Sequence, residues 1–448
     1  RQRQMCIRDR NRDMIKVYLK QAWELLKQNK LFSTLYIVGT GLSIAMTMVI
    51  AIVFYVRLAS VYPESNRSRT LVIKSAKMTK ADNNNSSNIS YKLLNDWLYP
   101  LKDAEAVTGI LDDYAENPSY VQLGEENGEV QAIVKYTDGN FFKVFPFIFL
   151  EGKPFTEADL HSGIRNAVLT DSYARQIFGT SEGVVGKTIS LDFADVRVVG
   201  VVKGGSFLTP ASYGQIYLPY TCVDGYDKTW GKWALGAFEA YILVKTQEEA
   251  QKVQYDVNEL MRKYNSSEAG KVWKLDLVGQ PESHWRNTFR VYSNVGVDWN
   301  SVIWSFIGVF MVLLFVPALN LSGMISARME RRLPEMGVRK AFGANRSLLL
   351  KQIVWENLLL SGLGALLGLV IAWIALVISG QNTFSLFETF PRDVPGNADV
   401  WLGVDMLFAP LVFVIAVAFC LLLNMLSALI PAWYSLRRPI VSSLNEQK

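Results

Sequence analysis

The sequence predicts an α-helical membrane protein with four transmembrane helices and a large mixed α/β extracytoplasmic domain inserted between helices 1 and 2. Three observations carry this. Half of the 448 residues are hydrophobic, and they gather in four blocks long enough to span a bilayer. The charge is split: residues 57–300 hold 26 Lys/Arg against 30 Asp/Glu, whereas the rest of the chain holds 20 against 11. Short basic segments flank the apolar blocks on one side only, which orients them.

Residues 1–13 contain five arginines and no apolar period. The apolar block that follows is too long for a signal-peptide core, so this stretch is expected to be an extension ahead of a natural start at Met14. In 14–33, Ile15, Tyr18, Leu19, Ala22, Leu25 and Leu26 fall at helical spacing beside Lys16, Lys20, Lys27 and Lys30. That pattern predicts an amphipathic helix on the cytoplasmic leaflet. Residues 34–56 run 23 positions without a charge, the first span. The later spans are expected at 301–325, 353–379 and 406–433.

The loop 326–352 carries Arg328, Arg331, Arg332, Arg339, Lys340, Arg346 and Lys351 against only Glu330 and Glu335, whereas the loop 380–405 carries Arg392 alone. With the tail 434–448 opening on Arg437 and Arg438, every basic segment lies on one side if both termini are cytoplasmic. Domain 57–300 then faces outside. The mildly acidic balance of that domain gives no support for nucleic-acid binding.

Within 57–300, "RVVGVV" at 197–202 and "AYILVK" at 240–245 read as strands. Glu248–Tyr264 has helical spacing, and "NNNSSN" at 83–88 reads as a loop. Of the three cysteines, Cys6, Cys222 and Cys420, only Cys222 falls in this domain, which excludes an internal disulfide framework.

Few residues invite chemistry. Gly186-Lys187-Thr188 echoes the end of a phosphate-binding loop, but the glycine needed five positions earlier is Ser181. A turn entering the strand 188–192 is the expectation. His161 and His284 have no partner at metal-ligand spacing, so a surface or packing role is expected for each. The span cores lack ionisable residues; Glu356 and Asp405 sit at span edges. Proton- or sodium-driven transport is therefore disfavoured, and no catalytic residue, metal or cofactor is expected.

The informative segment is "SARMERRLPEMGVRKAFGANRSLLLKQIVWENLLLSG". Pro334 suits the first turn of a helix. Glu335 and Arg339 then stand four apart and can pair on one face. Met336, Val338 and Phe342 leave an apolar surface, and Gly343 can cap the end. Such a short helix, held between two spans, can dock into a groove of another protein. In the third span, Gly364 and Gly368 form G-x-x-x-G, which allows close helix packing.

At this point the chain resembles the FtsX-like permease family, in its MacB-type branch. The strongest match is "PALNLSGMISARMERRLPEMGVRKAFGA" at 317–344, through Asn320, Leu321, Ala327, Arg328, Glu335, Gly337, Val338, Arg339, Lys340, Ala341, Gly343 and Ala344. Weaker support comes from Asn29-Lys30-Leu31, from "FFKVFPF" and "EGKPFTEAD" with the "LTDSYARQIFG" and "VVGKTISL" stretches that follow, and from the closing "PAWYSLRRPIVSSL". The resemblance implies that Glu335, Gly337, Val338, Arg339, Lys340, Phe342 and Gly343 form a coupling helix for a cytoplasmic ABC ATPase. It also implies a second permease copy, as a homodimer or a heterodimer with a paralogue, and an inner-membrane location with the large domain periplasmic.

No ATPase fused ahead of the first span is expected, so the resemblance implies one on a separate chain. ATP-powered export by mechanotransmission is then the leading expectation, with a periplasmic adaptor and an outer-membrane channel as partners where export is tripartite. Lipoprotein release and activation of a cell-wall hydrolase or sensor kinase are the alternatives. Activity as an enzyme is least expected.

Overall fold

The computed structural model describes residues 23, 24, 27, 30–81, 83–111, 119–123, 128–309, 311, 323, 330, 338, 339, 341–343, 345–385, 403, 406 and 410–437. The chain divides into two compact units. One holds residues 1–54, 300–383 and 407–448; the other holds 55–299 and 384–406. Four long helices are named here: α1 (Lys30–Leu58), α2 (Gln247–Ser266), α3 (Arg346–Ser385) and α4 (Pro410–Arg437).

The first unit is helical. Among the described residues, three stretches are long and apolar enough to cross a membrane: Ser33–Leu58, Leu349–Ile378 and Pro410–Ser427. The span expected at 301–325 is helical over 301–309 and otherwise lies mainly outside the described residues, as do the amphipathic segment 14–33 and most of the segments 380–405 and 434–448. Helix α3 runs past both ends of the expected 353–379. Ile44, Ala45 and Met48 of α1 pack with Ala365 and Ala372 of α3 and with Ala416 and Cys420 of α4. Small residues at this seam let helix backbones approach closely, which supplies the dispersion contacts that hold helices together in lipid. Leu366, Val370, Trp373 and Ile378 of α3 and Leu411, Val414 and Leu422 of α4 stay exposed. A continuous apolar surface of this kind is suited to acyl chains.

The second unit is mixed α/β, with sixteen strands among the described residues. Phe238–Leu243 runs antiparallel to Ala106–Leu111 on one side and to Thr70–Ile73 on the other. Ala194–Val202 lies parallel to Asn166–Thr170, and the helix Asp171–Phe178 supplies the crossover that parallel strands require. The "RVVGVV" and "AYILVK" strands fall within Ala194–Val202 and largely within Phe238–Leu243.

Helix α2 covers the expected Glu248–Tyr264. Its start follows from capping: the Thr246 hydroxyl accepts from Glu249 N, and the Glu249 carboxylate accepts from Lys245 N. Val253 and Val257 then enter a core with Ile89, Leu275 and Leu277. The expected turn before strand Thr188–Leu191 is present, with Gly186 at φ +91°.

One reading fails. "NNNSSN" is no loop: Asn83–Ile89 is a strand, paired along Ala76–Lys80. Turn-favouring side chains are tolerated because the ladder uses backbone groups only. The polar atoms find partners too, as Ser87 Oγ donates to Gly236 O and Asn294 Nδ2 donates to Ser86 Oγ. Tertiary pairing overrides local propensity here.

The "FFKVFPF" run forms a separate core. Phe141, Phe142, Phe145 and Phe147 bury against Tyr217 and Tyr241, with the Phe141 and Phe145 ring centres 4.9 Å apart. Asp138 anchors this helical turn. Its Oδ1 accepts from the amides of Asn140 and Phe141, and its Oδ2 accepts from Tyr99 Oη and Gly109 N. Burial nevertheless pushes its carboxyl up to about 6.

Candidate functional site: the loop before α3, the helix seam and the C-terminal end of α1

Of the residues expected to couple, Glu335, Gly337 and Lys340 lie outside the described residues, so the Glu335–Arg339 pairing does too. Val338, Arg339, Phe342 and Gly343 are described. Phe342 is 89% exposed and Val338 46% exposed. Gly343 sits at φ +87°, the left-handed region that a helix end uses and that glycine adopts without a Cβ clash.

Arg339 is engaged within the chain. Its Nη1 donates to Gln352 Oε1 at 2.8 Å, and Gln352 Nε2 donates to Glu356 Oε1 at 3.3 Å. Gln352 and Glu356 are buried one turn apart on α3. This hydrogen-bonded row ties the loop to the helix that follows it. Gln352 carried no signal in the sequence, because a lone glutamine near a span edge has no pattern.

Gly364 and Gly368 face α1. A Cβ on Gly364 would lie 2.9 Å from Thr40 Cβ, one on Gly368 would lie 2.6 Å from Gly41 O, and one on Gly41 would lie 3.0 Å from Gly364 O. Tyr36 Oη and Ser361 Oγ meet at 3.3 Å one turn away. Gly41 therefore completes the seam. Span one holds Gly39 and Gly41, two apart rather than four, which forms no packing motif, and this is why sequence reading missed it.

At the C-terminal end of α1 the chain turns through Pro63 into a buried charged group. Arg67 Nε donates to Glu64 Oε2 at 2.7 Å, and Arg67 Nη1 donates to Val56 O and Ala59 O. These carbonyls sit at the end of α1, where no intrahelical donor remains and a cation is favoured. Glu64 Oε1 accepts from both the amide and the hydroxyl of Ser212 at 3.0 Å. Both Glu64 and Arg67 are buried. Burial alone would raise the Glu64 carboxyl, but the charge and hydrogen bond of Arg67 and the Ser212 amide hold it below its ordinary value.

His284 belongs to this group. It lies 3.0 Å through Nε2 from Arg57 O. A carbonyl can only accept, so Nε2 carries the proton and the ring is the Nε2–H tautomer. Desolvation by burial, with the charge of Arg67, depresses its pKa to about 4. The packing role expected of His284 is what the geometry gives. The glutamate, arginine and histidine come from residues 64, 67 and 284, and no spacing rule links them.

Comparison with known proteins accords with this architecture. Residues 33–260 match the MacB-like periplasmic core domain and residues 304–440 match the FtsX-like permease C-terminal domain. The macrolide export ATP-binding/permease protein MacB of Escherichia coli K12 is 22% identical over 253 residues, 56% of this chain and 36% of that protein. The chain thus spans about a third of the length of the curated relatives it matches. Among solved structures, the periplasmic region of MacB from Actinobacillus actinomycetemcomitans aligns with 45% of this chain and 88% of its own at 18% identity and a TM-score of 0.31. The extracellular domain of the noncanonic ABC-type transporter YknZ from Gram-positive bacteria aligns with 45% of this chain and 100% of its own at 12% identity and a TM-score of 0.31. This chain belongs to the family of MacB-type, FtsX-like ABC transporter permeases, membrane proteins that carry a MacB-like periplasmic core domain.

Proposed function

We propose that the chain is the permease subunit of an ATP-powered MacB-type transporter, in which a separate cytoplasmic ATPase drives a conformational change of the outer domain and thereby export. The observation that carries this reading is the exposed Phe342 beside Val338, on a loop tied by Arg339 to Gln352 of α3. An almost bare phenylalanine on a short cytoplasmic segment is a side chain that a partner's groove would bury. The hydrogen-bonded row would pass displacement of that segment into α3. The seam of Gly41, Gly364 and Gly368 would carry it into α1. In this reading 301–325 is the remaining span, both termini are cytoplasmic, and a second permease copy completes the complex.

The test is Phe342→Asp beside Lys448→Glu. Losing burial of one phenylalanine costs about 2 kcal/mol or more, roughly thirtyfold in affinity. The ATPase should no longer co-purify with Phe342→Asp, and its stimulated hydrolysis should fall, while Lys448→Glu retains both. A Phe342→Asp chain that inserts normally and keeps both partner binding and transport overturns the assignment.

A further inference from the structure

The segment from His284 to Trp299 presents an ordered apolar surface that the function described so far leaves unused. Val291 is 73% exposed, Tyr292 67% and Val295 53%, and Trp285 and Trp299 are exposed as well. Their backbone is nonetheless pinned. Arg290, itself buried against Glu282, donates through Nη1 to Val295 O at 2.6 Å and through Nη2 to Val278 O at 2.7 Å. Gln280 Nε2 donates to Ser293 O at 3.1 Å. Trp285, Phe289 and Trp299 form a triangle of rings with centres 5.7 to 6.4 Å apart. Buried polar side chains thus hold a loop whose apolar tips face outward, which is the arrangement of a binding surface.

Both ends of this segment are tied to span exits. At one end, His284 is hydrogen-bonded to Arg57 O in the last turn of α1. At the other, Trp299 opens the helical stretch 299–309, which leads into the uncharged run 301–327. Tryptophan and tyrosine with an apolar body and a polar tip favour the headgroup level of a bilayer, and Arg286, half-exposed among them, is paired with the buried Glu282 at 3.5 Å.

We infer that residues 285–299 form a collar seated in the outer-leaflet interface of the membrane, with lipid headgroups and upper acyl chains covering Trp285, Val291, Tyr292, Val295 and Trp299. This rests on the reading of 301–325 as a span that enters from the outer side.

The experiment uses the full-length chain carrying Cys6→Ser, Cys222→Ser and Cys420→Ser, with single cysteines introduced as Tyr292→Cys, Leu422→Cys or Phe193→Cys. Each is labelled with an environment-sensitive fluorophore and reconstituted in phosphatidylcholine vesicles containing lipid spin-labelled at the fifth or the twelfth acyl carbon. Leu422, exposed on α4, reports the bilayer interior, and Phe193 reports an exposed turn of the outer domain. Position 292 should be quenched several-fold more by the shallow label than by the deep one, position 422 more by the deep label, and position 193 by neither. If 292 behaves like 193 while 422 is quenched, the collar is wrong and the membrane reading stands. If neither 292 nor 422 is quenched, both are wrong. If 292 is unquenched in vesicles and shielded from water in a concentration-dependent way in detergent, a second copy covers the surface and the lipid assignment is overturned.

Discussion

Glu64 and Arg67 form a buried ion pair three residues apart, 2.7 Å between Oε2 and Nε, at the point where α1 leaves its last turn. Neither charge is there to hold the other alone. Arg67 spends two further hydrogen bonds on the end of α1, and Glu64 spends two on Ser212. The pair thereby fastens the helix end to the loop before strand Ile216–Pro219, within one compact unit.

Removing one partner should therefore cost more than removing both. Glu64→Gln leaves the Arg67 guanidinium buried without its counter-charge, a loss of about 3–5 kcal/mol by analogy with other buried pairs. The double variant Glu64→Leu/Arg67→Met should lose less. Chemical denaturation of the purified full chain, followed for the outer domain, measures this. Equal stability of Glu64→Gln and wild type would refute the clasp.

His284 predicts a pH dependence. Its folded pKa, about 4, lies below the ordinary 6.5, so the unfolded state binds the proton more readily between those values. Its contribution is fully present above pH 6.5 and is lost as pH falls toward 4, by about 3 kcal/mol in all. Arg67 and Lys74 add to the depression, and Glu64 opposes it. Asp138 acts with the opposite sign, because its folded value of about 6 exceeds the ordinary 3.8. Stability from Asp138 grows as pH falls from 6 toward 3.8. The two slopes offset each other in the wild type between pH 4 and 6. His284→Gln should therefore become more stable on acidification in that window, and Asp138→Asn less stable. Parallel profiles for the two variants would contradict the assignment.

The helix seam predicts a contrast among glycines of α3. Gly364→Ala places a methyl 2.9 Å from Thr40 Cβ, whereas Gly362→Ala meets nothing within 4 Å. The first should destabilise by about 1–3 kcal/mol through overpacking. The second should be neutral or gain about 0.5–1 kcal/mol through helix propensity. Thermal aggregation in detergent ranks them, and an unchanged Gly364→Ala would remove the seam from the mechanism.

Topology is best read away from the native thiol. Cys222 is half-buried, and burial pushes its thiol up to about 11, so alkylation there should be slow at neutral pH whichever side it faces. Cysteine introduced at Phe193 should react with an impermeant maleimide added outside intact cells. Cysteine at Phe342 should react only after lysis. The reverse pattern would invert the proposed orientation.

What the sequence could declare was whatever repeats along the chain or depends on neighbours in it. Long uncharged runs give spans, because the bilayer's thickness and its lack of hydrogen-bonding partners impose length and apolarity on each segment by itself. The helical spacing of Glu248–Tyr264 gave α2, and Pro334 to Gly343 stood out as a helix-sized motif. The Asn83–Asn88 tract misled for the same reason: its local signal is a turn, while its strand state is stabilised by hydrogen bonds to Ala76–Lys80. The tertiary structure decided the rest. Arg339 finds Gln352, Gly364 finds Gly41, and Glu64 and Arg67 share their group with Ser212 and His284, more than two hundred residues downstream for the histidine. The partners of a buried polar group or a close backbone contact are fixed by the need to satisfy charge and fill space in three dimensions, and no linear period records that requirement.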